Sequence, residues 1–159
     1  MESNKIFYEE KQFFSWSVVP LLLIVIFISI IYFLDIGDKK MSVSIYSIFL
    51  LLFLFIFLTT YNMKICIYKK YIIVSFGIGI LKKKIVINEL AEPIENVKIP
   101  WYYGVGFRFR KNSTLLNTRS GNSLRLNLLN GQKSIFIVSK DCKKMLETIK
   151  HLKKKNNYY

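Results

Sequence analysis

The chain has 159 residues, 24 basic against 10 acidic side chains, a net charge of +14, and 52% hydrophobic residues. That length allows one domain, or one small domain with an appendage, and the uneven spread of the hydrophobic residues favours the second. Two cysteines and one histidine exclude a zinc signature, and Cys66 and Cys142 read as packing thiols in a reducing compartment.

The N-terminal stretch "YEEKQFF" is acidic, and an uncharged run follows it. Residues 13–34 hold no ionisable acid or base apart from a tyrosine, more than the ~20 apolar residues that cross a bilayer as a helix. Residues 43–61 form a second uncharged run. Eight residues, "DIGDKKMS", join the two. A buried helical pair would leave a small protein too little polar surface, and the first run is too long and too acidic in its flank for a signal peptide. The expectation is a transmembrane hairpin with spans at about 13–34 and 43–61, inside an N-terminal segment 1–61, followed by a soluble domain 62–159.

Charge orients the hairpin. Residues 1–61 carry four lysines against five acids, a balance of −1, whereas residues 62–159 carry twenty basic and five acidic groups, +15. Basic flanks stay on the cytoplasmic side. Lys64, Lys69 and Lys70 lie close behind the second span, so both termini are expected in the cytoplasm of a multi-pass inner-membrane protein. Lys39 and Lys40 in the connecting turn oppose this only mildly.

Beyond Lys64 the hydrophobic period shortens. "KICIYKKYIIVSFGIG" reads as two short strands broken at Lys69 and Lys70, and "ILKKKIVINEL" as a third. "GFRFRKN", with one oily and one basic face, and "STLLNTRSG" supply more. "NSLRLNLLNGQKSIFIVSK" is a hairpin around Asn130-Gly131. Many short strands at close spacing suggest a small antiparallel barrel or sandwich. In the tail, Cys142, Met145, Leu146, Ile149 and Leu152 recur at helical spacing. Ser139 can cap that helix, and Asp141 and Lys153 to Lys155 suit its dipole.

With "YEEKQFF" before a hydrophobic hairpin, then "YYGVGFRFR", then "NTRSGNSLRLNLLNGQKSIFIVSKDCKKMLETI", the chain resembles small bacterial membrane proteins with a bacterial pleckstrin-homology-like domain. Val105 departs from that pattern, standing where a large aromatic is common. The resemblance implies an α+β membrane protein: a two-helix transmembrane hairpin, then a PH-like antiparallel split barrel capped by a helix at 140–154.

The candidate sites are weighed in that setting. "WYYGVGFRFRKN" lacks the helix and Lys-Ser/Thr pair of a phosphate loop, and Gly104 and Gly106 read as bend residues. His151 sits among lysines, and Glu89, Glu92 and Glu95 surround Pro93, so no triad, carboxylate pair, metal cluster or cofactor fingerprint stands out. We expect a protein that is not an enzyme and takes no cofactor. The basic groups carry more information. Lys69, Lys70, Lys82, Lys83, Lys84, Arg108, Arg110 and Lys111, with Trp101, Tyr102 and Tyr103, are candidates to bind anionic lipid headgroups or a protein partner. A solvated surface enriched in lysine by an AT-rich coding sequence explains the same residues. Nucleic acid suits the charge but not the tether. The expected role is a membrane-anchored interaction or scaffold module that contacts membrane lipids and a protein partner or its own copies. A regulatory subunit of a transport or export complex, or a toxin-immunity membrane protein, are the alternatives.

Overall fold

The computed structural model describes residues 5–13, 15–37, 40–103, 106–129 and 133–156, excepting the side chains of residues 15–17. A strand β1 (Ile6–Phe13) leads into helix α1 (Ser15–Phe33), and helix α2 (Val43–Thr60) leads into strand β2 (Asn62–Tyr68). Then come β3 (Tyr71–Phe76), β4 (Leu81–Val86), β5 (Leu90–Ile99), β6 (Gly106–Arg110), β7 (Ser113–Asn117), β8 (Gly121–Leu128), β9 (Ser134–Val138) and helix α3 (Cys142–Asn156). The fold is α+β, with three α-helices, two sheets and a C-terminal helix among the described residues.

The N-terminal strand changes the expected domain plan. β1 pairs antiparallel with β2 from Phe13 opposite Asn62 to Ile6 opposite Tyr68, so residues 6–13 are part of the sheet and the division at residue 61 does not separate two structural units. The helical segment is an insertion between two neighbouring strands. Both helices expose Leu, Ile and Phe along their length, and α2 buries only Thr59. Among the described residues α2 alone is long and apolar enough to cross a bilayer, with a mean hydropathy of 2.4; the apolar stretch Val18–Phe33 of α1 is shorter. The expected pair of spans is thereby narrowed to one helix that meets the requirement by itself. The helices touch through Ser29 and Tyr46, whose hydroxyls lie 3.0 Å apart, and through the stacked rings of Tyr32 and Tyr46 at 4.2 Å.

The first sheet runs β1-β2-β3-β4 and the second β5-β8-β9-β7-β6. All pairs are antiparallel except β7 with β9, which run parallel, Thr114 opposite Ile135. That corrects the expectation of an antiparallel barrel throughout. The physical reason lies in the connection: β8 intervenes between β7 and β9 in sequence but pairs on the other flank of β9, so β7 and β9 point the same way. β8 and β9 form the expected hairpin, although its Asn130-Gly131 turn, like Gly104, Val105 and Lys39, lies outside the described residues.

Alternation decides what each sheet buries. Met63, Ile65 and Ile67 of β2 and Ile72, Val74 and Phe76 of β3 face Leu116, Leu124, Leu126, Ile135 and Ile137 of the second sheet. Cys142, Met145, Ile149 and Leu152 of α3 complete that core, at the spacing the sequence shows. Asp141, not Ser139, caps α3: its carboxylate accepts from Lys144 N at 3.0 Å, while Ser139 Oγ accepts from Asp141 N at 3.1 Å.

Candidate functional site

The strands give the molecule two ends, a near end where α1 and α2 leave the first sheet and a far end marked by the Lys69-Lys70 turn between β2 and β3. At the near end the last turn of α2 is locked to the turn between β3 and β4. Gly77 N donates to Asn62 O at 2.8 Å and Ile78 N to Leu58 O at 3.0 Å. Gly77 has φ +55, and a Cβ there would lie 2.0 Å from Leu58 O, so only glycine permits this approach. The turn so held presents Ile78, Ile80 and Leu81, all exposed, beside the end of an apolar helix.

Two residues along the strands from that end, a basic row crosses the outer face of the first sheet. Lys11 lies opposite Lys64, Lys64 opposite Ser75, and Ser75 opposite Lys82. At a strand rise of ~3.3 Å the row is roughly 7 Å from the helix ends, and at ~4.8 Å between strands it is about 15 Å wide. Glu9 pairs with Lys64 at 2.7 Å and holds its ammonium pKa above the usual value, chiefly through that hydrogen bond. The Lys82 side chain lies back over Gly79, with Cε 3.0 Å from the place a Cβ would take, so it reaches toward the near end.

The second sheet turns the same end toward the helices. Gln12, one residue before the end of β1, donates to Val138 O at 2.9 Å and accepts from Thr118 Oγ1 at 2.6 Å. Ile99 pairs with Gly121 at that end, and the 3-10 turn Trp101–Tyr103 follows it, with Trp101 81% exposed. Phe107 packs edge-on against Phe76 at 5.8 Å and against Phe109 at 4.8 Å, leaving Phe109 73% exposed.

The candidate residues from the sequence thus fall into separate places. Lys82, Trp101 and Tyr102 lie toward the near end. Lys84 lies further along the outer face, over the Tyr71 ring at 4.5 Å, and Lys83 is half-buried on the opposite face, across from Val74. Lys69 and Lys70 are at the far end, where Asn156 Nδ2 donates to Lys69 O at 2.8 Å. Arg108 and Arg110 project from the outer face of β6, the edge of the second sheet, and the Arg110 guanidinium sits over Tyr103 at 4.4 Å. Lys111 follows in the far-end turn. Tyr103 is half-buried beside a small outer cluster of Ile99, Leu115 and Val138.

Comparison with known protein families, with curated proteins and with solved structures finds no match to this chain.

Sequence reasoning missed the seam made by β1. Tyr8, Glu10 and Gln12 share one face, and the Glu10 carboxylate accepts from Tyr8 OH at 2.6 Å, Gln12 Nε2 at 2.8 Å, Ser139 Oγ at 2.5 Å and Lys140 N at 2.7 Å. Burial first, and then the bond to Glu10, push the Tyr8 phenol well above its usual pKa. The signal was in the sequence: polar residues at i, i+2 and i+4 in "YEEKQ" fit the period of a strand. Lys11 and Lys64 of the basic row were likewise left out of the candidate set. The acids do not gather: Glu92 pairs with Lys153 at 3.1 Å and Glu95 with Arg125 at 3.4 Å. Among the described residues no group of three or more His, Cys, Asp or Glu could hold a metal ion, and His151 is exposed on α3.

Proposed function

We propose that the protein is a non-enzymatic, membrane-anchored interaction module: a two-helix hairpin crosses the inner membrane, and a PH-like domain rests its near end on the cytoplasmic leaflet. One observation carries this reading, the hydrogen bond from Ile78 N to Leu58 O that ties an exposed apolar turn to the end of an apolar helix. A bilayer that takes up α2 brings Ile78, Ile80 and Leu81 to its interface and the Lys11-Lys64-Lys82 row to the depth of the phosphates. Each cation at an anionic surface contributes about 1 kcal/mol.

Further support comes from the helices and the charge. Nineteen residues in α1 and eighteen in α2 reach about 28 and 27 Å at the usual helical rise, close to the ~30 Å of a hydrocarbon core. Apolar surface this extensive is not left to water by a soluble monomer. Pairing of β1 with β2 keeps the two ends of the hairpin on one side, and the +15 of residues 62–159 favours the cytoplasm for that side. The partner surface in this reading is the β6 edge with Arg108 and Arg110, because α3 already covers its own apolar face.

A tryptophan probe tests the arrangement. In full-length protein with Trp16 and Trp101 replaced by Phe, Ile78→Trp reconstituted in vesicles should be quenched strongly by phospholipid brominated near the headgroup. Lys69→Trp in the same background should not. Equal quenching at both positions, or none at either, would remove the reading.

A further inference from the structure

The outer face of the second sheet carries a second cationic site, running from the far-end turns to the near-end turn at Tyr103, that the lipid-facing surface does not explain. On the outer face of the second sheet, cross-strand pairing lines up Glu95, Arg125, Phe136, Leu115 and Arg108, with Ser134, Ser113 and Arg110 in the next row outward. Over these rows lies a hollow of about 680 Å³ bordered by Lys111, Ser113, Arg125, Lys133, Ser134 and Phe136. Beside it lies a smaller cleft of about 290 Å³ whose walls include Ile99, Pro100, Tyr103 and Leu115, with Ser113, Arg125 and Phe136 common to both. The hollow is cationic, whereas the cleft is mixed: Lys98 and Arg110 share its walls with the apolar side chains, and Arg110 covers one face of Tyr103. The volumes are those of small-molecule sites.

Charge is poorly balanced here. Lys111 and Lys133 are exposed, no acid is among the described residues that line the hollow, and Arg125 Nη1 reaches the Glu95 carboxylate at 3.4 Å. The Nε of Arg125 is buried without a hydrogen-bond partner, while its guanidinium leans over the Phe136 ring at 5.9 Å. A planar guanidinium held over a ring, with two lysines and the Ser113 hydroxyl around it, suits an oxyanion that accepts several hydrogen bonds at once; the Ser134 hydroxyl already donates to Asn127 Oδ1 at 2.8 Å. The adjoining Tyr103 and Phe136 rings suit an apolar or aromatic body.

We propose that this groove binds a small organic phosphate, its phosphate among Arg125, Lys111 and Lys133 and its apolar or aromatic body in the cleft beside Tyr103. A soluble source is favoured over a lipid headgroup, because Lys111 and Lys133 belong to turns at the end remote from α1 and α2. The site itself stands apart from the lipid reading: it would persist if the near end never touched a leaflet.

The test uses full-length protein in nanodiscs of uncharged phosphatidylcholine, titrated by calorimetry with inorganic pyrophosphate and with adenosine diphosphate. Expected is binding of both, the diphosphate tighter by about tenfold through the cleft. The double variant K111Q/K133Q should weaken both at least tenfold, and Tyr103→Ala should weaken only the diphosphate. Lys143→Gln, exposed on α3 and outside both surfaces, should change neither. Nanodiscs doped with anionic phospholipid supply the other source; loss of pyrophosphate binding in them would show that headgroups occupy the groove and overturn the soluble assignment. No binding of either probe at millimolar concentration, or binding that K111Q/K133Q leaves intact, overturns the site.

Discussion

Gly77 shows how much one residue can decide. Its positive φ alone makes any L side chain costly, and the carbonyl of Leu58 occupies the place a methyl group would need. Gly77→Ala should lower stability by about 3 kcal/mol or more, combining backbone strain with displacement of the helix end. Gly79 also has positive φ, but a Cβ there meets only the flexible end of Lys82, so Gly79→Ala should cost about 1 kcal/mol. Thermal melts of the two variants in the same micelle give the comparison. Tyr8 supplies a pH signature. Its raised pKa means that the fold favours the neutral phenol, a contribution fully present below the ordinary tyrosine pKa of ~10 and lost as the pH climbs beyond it. Tyr8→Phe should therefore flatten the alkaline limb of the stability curve, measured as denaturant midpoint against pH.

Among the elements, β1 changes the picture most. Its inward face joins the first sheet to the start of α3 through one carboxylate that accepts four hydrogen bonds, so the strand works as a seam between the two sheets. Glu10→Ala strands those donors and should destabilise the protein by about 3 kcal/mol, whereas Glu10→Gln keeps part of the network and should cost about 1 kcal/mol. Denaturant melts of both variants check the ratio. The α3 helix, the β2 and β3 strands and the hairpin of β8 and β9 were legible because each follows one hydrophobic period. β1 was missed, because "YEEK" reads as solvated charge unless the two-residue period through Tyr8, Glu10 and Gln12 is weighed against it. β5 was hidden for a related reason: Leu90, Ile94 and Ile99 are buried along it without a steady alternation, and its register slips between Ala91 and Glu95. The parallel pairing of β7 and β9 has no local signature at all.

For the whole molecule, the helices are an insertion whose two ends meet at paired residues. Phe13 and Asn62 face each other across β1 and β2, close enough for a two-residue turn to join them. A chain in which Asn-Gly replaces residues 14–61 should fold as a water-soluble domain with a cooperative melt. Residues 62–159 alone should not, since they lack β1 and its seam; amide exchange of the two proteins distinguishes the outcomes. The candidate lipid surface was legible only in part for the same reason. Composition revealed a basic, aromatic domain, but which cations share a row depends on strand pairing, and that pairing divides Lys82 from Lys69, Lys70 and Lys111.

The interrupted β1-β2 ladder also constrains how the protein is made. The ribosome delivers the first strand dozens of residues ahead of its mate, so nascent residues 6–13 must wait, unpaired at one edge, until both apolar segments and β2 have been made. If α1 and α2 insert as proposed above, export of residues 6–13 across the bilayer would cost the sheet its border strand, which would tie insertion to folding in a single event.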